Sequence, residues 1–160
     1  MEYGCGTGRL AKYIGPLCKK LICVDITPVM LEESKKTLSH LNNVEYILCD
    51  GNSLNVNEGV DFCYSYATLM YMSKSKDFYS NVDLIDKVSK SFCIHLHKDI
   101  NDGSITEGVS VEGVDESNTI FDIYGYRPSK KTVLDRYNDK NYFIEWNKPD
   151  VRGKEMFFYK

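Results

Sequence analysis

The sequence predicts an α/β fold: a three-layer α/β/α sandwich on a mostly parallel sheet, closed by an antiparallel pair of C-terminal strands. Strand-like and helix-like periodicities alternate through the first two-thirds of the chain, as crossover connections between parallel strands require. A glycine-rich turn, Gly4-Cys5-Gly6-Thr7-Gly8, sits between a carboxylate and an amphipathic run. Polar residues (Asp25, Asp50 and Ser65) close successive apolar runs, and ligands of such sheets bind at those carboxyl ends. At 160 residues the chain is predicted to be one domain spanning 1–160, with a β-hairpin inserted at about 109–126.

The elements follow in order. Residues 8–14 carry Leu10, Tyr13 and Ile14 at helical spacing, and Gly15-Pro16 is expected to stop them. Residues 21–25 read as a buried strand ending in Asp25. Thr27 is the expected cap of a helix over 28–41, with Pro28 at its first position, Met30, Leu31, Leu38 and Leu41 on one side, and Glu32 and Glu33 near its positive end. Residues 44–49 and 60–65 are further strands, 77–90 a helix and 91–97 a fifth strand. The Tyr66–Met72 stretch reads as a loop or helical start. Ser129 is the expected cap of a last helix to about residue 137, and 142–146 with 155–159 are two final strands.

The apolar fraction of 42% and charged fraction of 27% are those of a globular domain, with a net charge of −3. No long basic run is present, which disfavours nucleic acid against a small molecule or a protein. Apolar runs are strand-sized, so no membrane span is expected, and the missing signal pattern predicts a cytoplasmic setting. Six cysteines without a C-x-x-C pair are read as reduced core thiols, with no metal site.

The glycine turn alone is a weak signal. Dinucleotide folds use G-x-G-x-x-G, and Arg9 stands where the third glycine would be. A carboxylate at Glu2 would repel a pyrophosphate but suits the cationic amino group of an amino-acid tail. Asp25, seventeen positions past Gly8, suits a ribose diol through charge-assisted hydrogen bonds. Asp50, with Gly51-Asn52, suits an adenine amine, while Ile26 and Met30 would sandwich the ring. Ser65 and Tyr66 end the fourth strand beside the expected crevice.

Taken together, the runs Glu2-Tyr3-Gly4-Cys5-Gly6-Thr7-Gly8, Val24-Asp25-Ile26-Thr27-Pro28-Val29-Met30-Leu31, Cys49-Asp50-Gly51-Asn52-Ser53-Leu54 and 61–72 resemble the class I S-adenosylmethionine-dependent methyltransferases, a Rossmann-like family. The resemblance implies S-adenosylmethionine as cofactor and S-adenosylhomocysteine as product. Cofactor binding would fall to Glu2, Gly4, Cys5, Gly6, Asp25, Ile26, Met30, Asp50, Gly51, Asn52, Ser65 and Tyr66. Against the family pattern the first strand is truncated and the usual N-terminal segment is lacking. The expectation is therefore a fragment, or a reduced form that a partner chain or homo-oligomer completes.

Methyl transfer from a sulfonium needs orientation more than covalent help, so no catalytic base is required. His95, His97 and Tyr71 are weak catalytic candidates; two strand-end histidines bonded locally are the plainer alternative. Tyr64, Tyr66 and Tyr71 read as an aromatic wall or simply as sheet tyrosines. The chain has no Asn/Asp-Pro-Pro-aromatic run and no Pro-Cys nucleophile, which disfavours a base-flipping enzyme. The leading expectation is methyl transfer to a small molecule, with protein or RNA acceptors behind it. The alternatives are a non-catalytic cofactor-binding or protein-interaction domain, and another reaction of the same cofactor.

Overall fold

The computed structural model describes residues 1–57, 59–72, 74–96, 108–109, 126–127, 133, 135–137, 143–146 and 156–159. They fall into two units, Met1–Tyr66 with Asp83–Phe92, and Ala67–Val82 with Cys93–Lys160. Helix α3 (Ser75–Val88) and strand β5 (Ser89–Leu96) each run from one unit into the other.

The first unit is built on β1 (Glu2–Tyr3), β2 (Leu21–Asp25), β3 (Val44–Leu48) and β4 (Val60–Ser65), hydrogen-bonded in the order β3-β2-β1-β4-β5. The β1–β2, β2–β3 and β1–β4 pairs are parallel, with Glu2 in register with both Cys23 and Tyr64. Strand order steps outward from β1 to β3, then returns to β1's other side at β4. That reversal opens a crevice beyond the carboxyl ends of β1 and β4, where doubly wound sheets take their ligands. Strand β2 is buried along its whole length, because α1 (Ala11–Ile14) and α2 (Pro28–Thr37) pack over it. Cys5, Ala11, Leu21, Cys23, Leu31 and Leu38 form the core beneath them.

In the second unit, Phe78, Tyr79 and Val82 of α3 are buried. Arg136 lies 4.7 Å from the Tyr79 ring centre and 5.8 Å from that of Tyr137. The later half of β5 pairs antiparallel with β9 (Met156–Tyr159), and β9 with β8 (Phe143–Trp146). Strands β6 (Gly108–Val109) and β7 (Tyr126–Arg127) also pair antiparallel. The fold is thus the Rossmann-like arrangement of parallel strands and helices with an antiparallel C-terminal pair.

Several element ends differ from expectation. The first helix ends at Ile14, directly before Gly15-Pro16 as expected, but it starts only at Ala11, and the chain then tightens into a 3-10 turn over Gly15–Leu17, where the proline at the start needs no N–H partner. Helix α2 ends at Thr37 rather than 41, and Met30 is exposed, away from buried Leu31 and Leu38. Thr27 makes no side-chain cap; its N–H is instead taken by Asp25. Glu32 and Glu33 lie beyond the first turn and pair with Lys35 and Lys36 at the surface. His97, Ser129 and residues 110–125 of the expected hairpin lie outside the described residues. Among the described residues, no helix is long and apolar enough to cross a membrane.

Candidate functional site

The glycine turn is stitched to the end of β2. The N–H groups of Gly4 and Cys5 both donate to the Val24 carbonyl, at 2.8 and 2.9 Å. Asp25 then works on both sides: its Oδ2 accepts from the Gly6 N–H at 2.8 Å, and its Oδ1 from the Thr27 N–H at 2.9 Å. One carboxylate therefore fixes the turn and starts α2, at a position only 8% exposed. Two of the glycines serve different ends. Gly6 has φ +53°, and a Cβ there would meet nothing within 4 Å, so this part of the main chain faces open space. At Gly8, φ +80°, a Cβ would lie 2.9 Å from Ser34 Oγ and 3.2 Å from Leu38, so that glycine lets α2 approach. Ser34 Oγ is buried there with no hydrogen-bond partner among the described residues.

Glu2 and Asp50 occupy opposite environments. Glu2 is 3% exposed, and one oxygen accepts from the Tyr64 hydroxyl at 3.1 Å. Burial pushes its carboxyl up to about 7, against smaller opposing effects of that hydroxyl, the N-terminal ammonium, the Ala11 backbone and Arg9. Asp50 follows β3 in an exposed turn, its Oδ1 accepting from Asn52 N–H (2.9 Å), Ser53 N–H (2.7 Å) and Ser53 Oγ (3.1 Å). Those bonds, the Asn52 N–H first, hold it below the usual carboxylate range. The next residue, Gly51, places a would-be Cβ 3.6 Å from Ile26 Cδ1, bringing the β2 and β3 termini together. Ile26, Val29 and Met30 are exposed apolar side chains at the start of α2.

At the end of β4, Ser65 is buried and its hydroxyl donates to the Tyr3 carbonyl at 2.9 Å, a strut between β1 and β4. The Arg9 guanidinium lies 5.9 Å from the centre of the Tyr66 ring. His95 is buried on β5 and Tyr71 is exposed in a 3-10 turn over Leu69–Tyr71. All six cysteines are free thiols. Cys5, beside Cys23, is raised well above the usual thiol range, by that sulfur first and burial second; burial pushes Cys63 up to about 12. Neither is a nucleophile at neutral pH. Among the described residues, no group of three or more His, Cys, Asp or Glu is arranged to hold a metal.

The residues singled out from the sequence thus fall into two sets. Gly4, Cys5, Gly6 and Asp25 form one hydrogen-bonded knot, with Ile26 reaching across to Gly51. Glu2 and Ser65 are closed off beneath it, tied to Tyr64 and Tyr3. Sequence reasoning missed Tyr64 as the partner of Glu2 and Arg9 as that of Tyr66; both pairs are long-range, and no local pattern carries them. A separate cavity of about 630 Å³ opens at the amino ends of β2 and β4, lined by Leu21, Ile22, Val60, Phe62, Met1 and Tyr64 among others.

A family model described as a methyltransferase domain matches residues 1–91. Nodulation protein S of Bradyrhizobium diazoefficiens is 25% identical over 72 residues, 45% of this chain and 34% of that protein. GTPase Der of Thermosipho africanus is 24% identical over 149 residues, 88% of this chain and 31% of that protein. No Gly-x4-Gly-Lys-Ser/Thr run, which a phosphate loop needs, occurs in this chain. The chain spans about a third of the length of these curated relatives. Among solved structures, an S-adenosylmethionine-dependent methyltransferase from Clostridium acetobutylicum matches with a TM-score of 0.72 at 14% identity, covering 99% of this chain and 81% of that one. The N-methyltransferase NodS from Bradyrhizobium japonicum, solved with S-adenosylhomocysteine, matches with a TM-score of 0.67 at 12% identity, covering 99% and 74%.

Proposed function

Because the chain belongs to the methyltransferase-domain family, we propose that it binds S-adenosylmethionine over the glycine turn and transfers the methyl group to a small molecule. The observation that carries this reading is the Asp25 latch beside Gly6, which leaves bare main chain facing open space next to a fixed carboxylate. Each Asp25 oxygen has spent one lone pair on a backbone N–H and keeps another for a ribose hydroxyl. Asp50 and Asn52 would hold the adenine amine, with Ile26, Met30 and Gly51 against the ring. Gly4 to Gly6 would seat the amino-acid part, and Glu2 would act on its ammonium through the turn from below. Tyr66 would border the acceptor, with the buried Ser65 bracing the strand end behind it.

The cofactor would supply an electrophilic methyl on a sulfonium. The protein's share is to orient the acceptor and exclude water, which is where most of the acceleration of such a displacement arises. The substrates of structural neighbours differ widely: magnesium protoporphyrin IX for one methyltransferase and phosphoethanolamine for another. Small-molecule acceptors are therefore the class supported, not one compound. Titration calorimetry with S-adenosylhomocysteine tests the reading. A folded protein that shows no heat at millimolar ligand does not have this function.

A second reading is favoured by the cavity at the amino ends of β2 and β4. On this reading the chain is a cofactor-binding or protein-interaction domain without turnover, completed by a partner chain or a second copy. Methyl transfer to any acceptor by a protein that sediments as a monomer rejects it. The free thiols suit a reducing compartment, and the proposal places the protein in the cytoplasm.

A further inference from the structure

We propose that His95 is a positioning residue that holds the turn after β4 in a backbone conformation it would not otherwise keep. The inference rests on the cofactor-binding reading above. Ala67 is, among the described residues, the only non-glycine with positive φ, at +53°. An alanine there crowds its Cβ against the backbone, so it persists only where something holds it. The Ala67 N–H donates to His95 Nδ1 at 3.3 Å, and His95 is 7% exposed. The two residues are 28 apart in sequence, so this is a tertiary restraint and not a property of the turn.

The chemistry fixes the ring's state. A backbone N–H can only donate, so Nδ1 must be the unprotonated nitrogen and the proton resides on Nε2. Ala67 directly follows Ser65-Tyr66, the β4 end assigned to the cofactor and acceptor. The held residue is thus the one next in the chain to that strand end. This gives His95 a role that is neither general base nor metal ligand.

The test uses four variants and one spectrum. In His95→Leu the acceptor is lost, and S-adenosylhomocysteine affinity is expected to fall about tenfold as the turn relaxes. His95→Asn keeps an acceptor near the Nδ1 position and is expected to recover most of that loss, whereas His95→Gln, whose acceptor reaches the Nε2 position, is not. Adding Ala67→Gly to His95→Leu should also recover affinity, because glycine adopts positive φ unaided. Full affinity in His95→Leu, or a loss that neither Asn nor the glycine variant repairs, overturns the proposal. In the unmutated protein, nitrogen NMR of the ring should show the Nε2–H tautomer; an Nδ1–H ring at neutral pH overturns it without any variant having to fold. If the unmutated protein binds no S-adenosylhomocysteine, the functional reading fails, while the tautomer still decides the His95 contact.

Discussion

The carboxyl at the end of β1 and the carboxyl just past β3 have the same chemistry and opposite fates. Glu2 is buried, with the Tyr64 phenol and the Ala11 backbone as hydrogen-bond partners, and burial lifts it to about 7. Asp50 stands in solvent with two backbone N–H groups and a hydroxyl aimed at one oxygen, and is pulled below its usual range. Position along the chain does not separate them, since both sit at strand ends before glycines. The difference is which effect dominates, since hydrogen-bond donors stabilise charge and desolvation opposes it: burial outweighs the donors at Glu2, and two main-chain donors outweigh it at exposed Asp50. Asp25 combines the two situations: it is buried like Glu2 but met by two N–H groups, and in the proposed function it would hold the ligand as well as the turn.

Glu2→Gln breaks the contrast most sharply. The folded protein binds the Glu2 proton more tightly than the unfolded chain, so stability should fall as pH rises from about 4.5 to about 7. Removing the titration should flatten that fall and leave the variant up to about 3 kcal/mol more stable than the parent at pH 8, read by urea unfolding. An unchanged pH slope would show that Glu2 does not carry it. Asp25→Ala removes a buried acceptor from two N–H groups. It is expected to weaken S-adenosylhomocysteine binding by about 2 kcal/mol in calorimetry and to lower the melting temperature as well. Retained affinity would take the ribose away from Asp25.

The two glycines sharpen the comparison on a smaller scale. Gly8→Ala meets Ser34 and Leu38 and should cost about 2 kcal/mol of stability. Gly6→Ala meets no neighbour and should cost about 1 kcal/mol from its backbone alone, yet suffer the larger loss of ligand affinity. Equal losses of stability, or a greater affinity loss at Gly8, would contradict the division of labour. Smallest of all is Asp50→Asn: its melting temperature should stay within about 2 °C of the parent, because the group is exposed and its turn is local. A large drop would mean that the turn supports more than itself.

How much of this could be read from the letters depends on the range of the interaction. Strands β2 and β4 were legible to the residue, since Leu21-Ile22-Cys23-Val24-Asp25 and Val60-Asp61-Phe62-Cys63-Tyr64-Ser65 are apolar runs ended by polar residues. The parallel core and antiparallel C-terminal pair followed from alternation and from the last two aromatic runs. Helix ends were less legible, because Leu38 and Leu41 continue the apolar pattern past Thr37, where the α-helix ends, into a turn that is still hydrogen-bonded. The burial of Glu2 was not legible at all: it depends on Tyr64, 62 residues away, and a carboxylate beside glycines looks the same whether sealed or open. The same holds for the Ser65 strut to Tyr3, which turns a hydroxyl expected at the crevice into a brace.

The doubly accepting Val24 carbonyl has a consequence for motion. Because Gly4 and Cys5 both hang from it, the bend is anchored to a fully buried strand as well as to the short helix that follows, whose Lys12 N–H donates to the Gly8 carbonyl at 3.1 Å. In heavy water these two amides should exchange as slowly as those of β2 itself, through whole-unit opening rather than local fraying. The loop that looks most pliant on paper, with three glycines in five residues, would then be among the last places where deuterium enters.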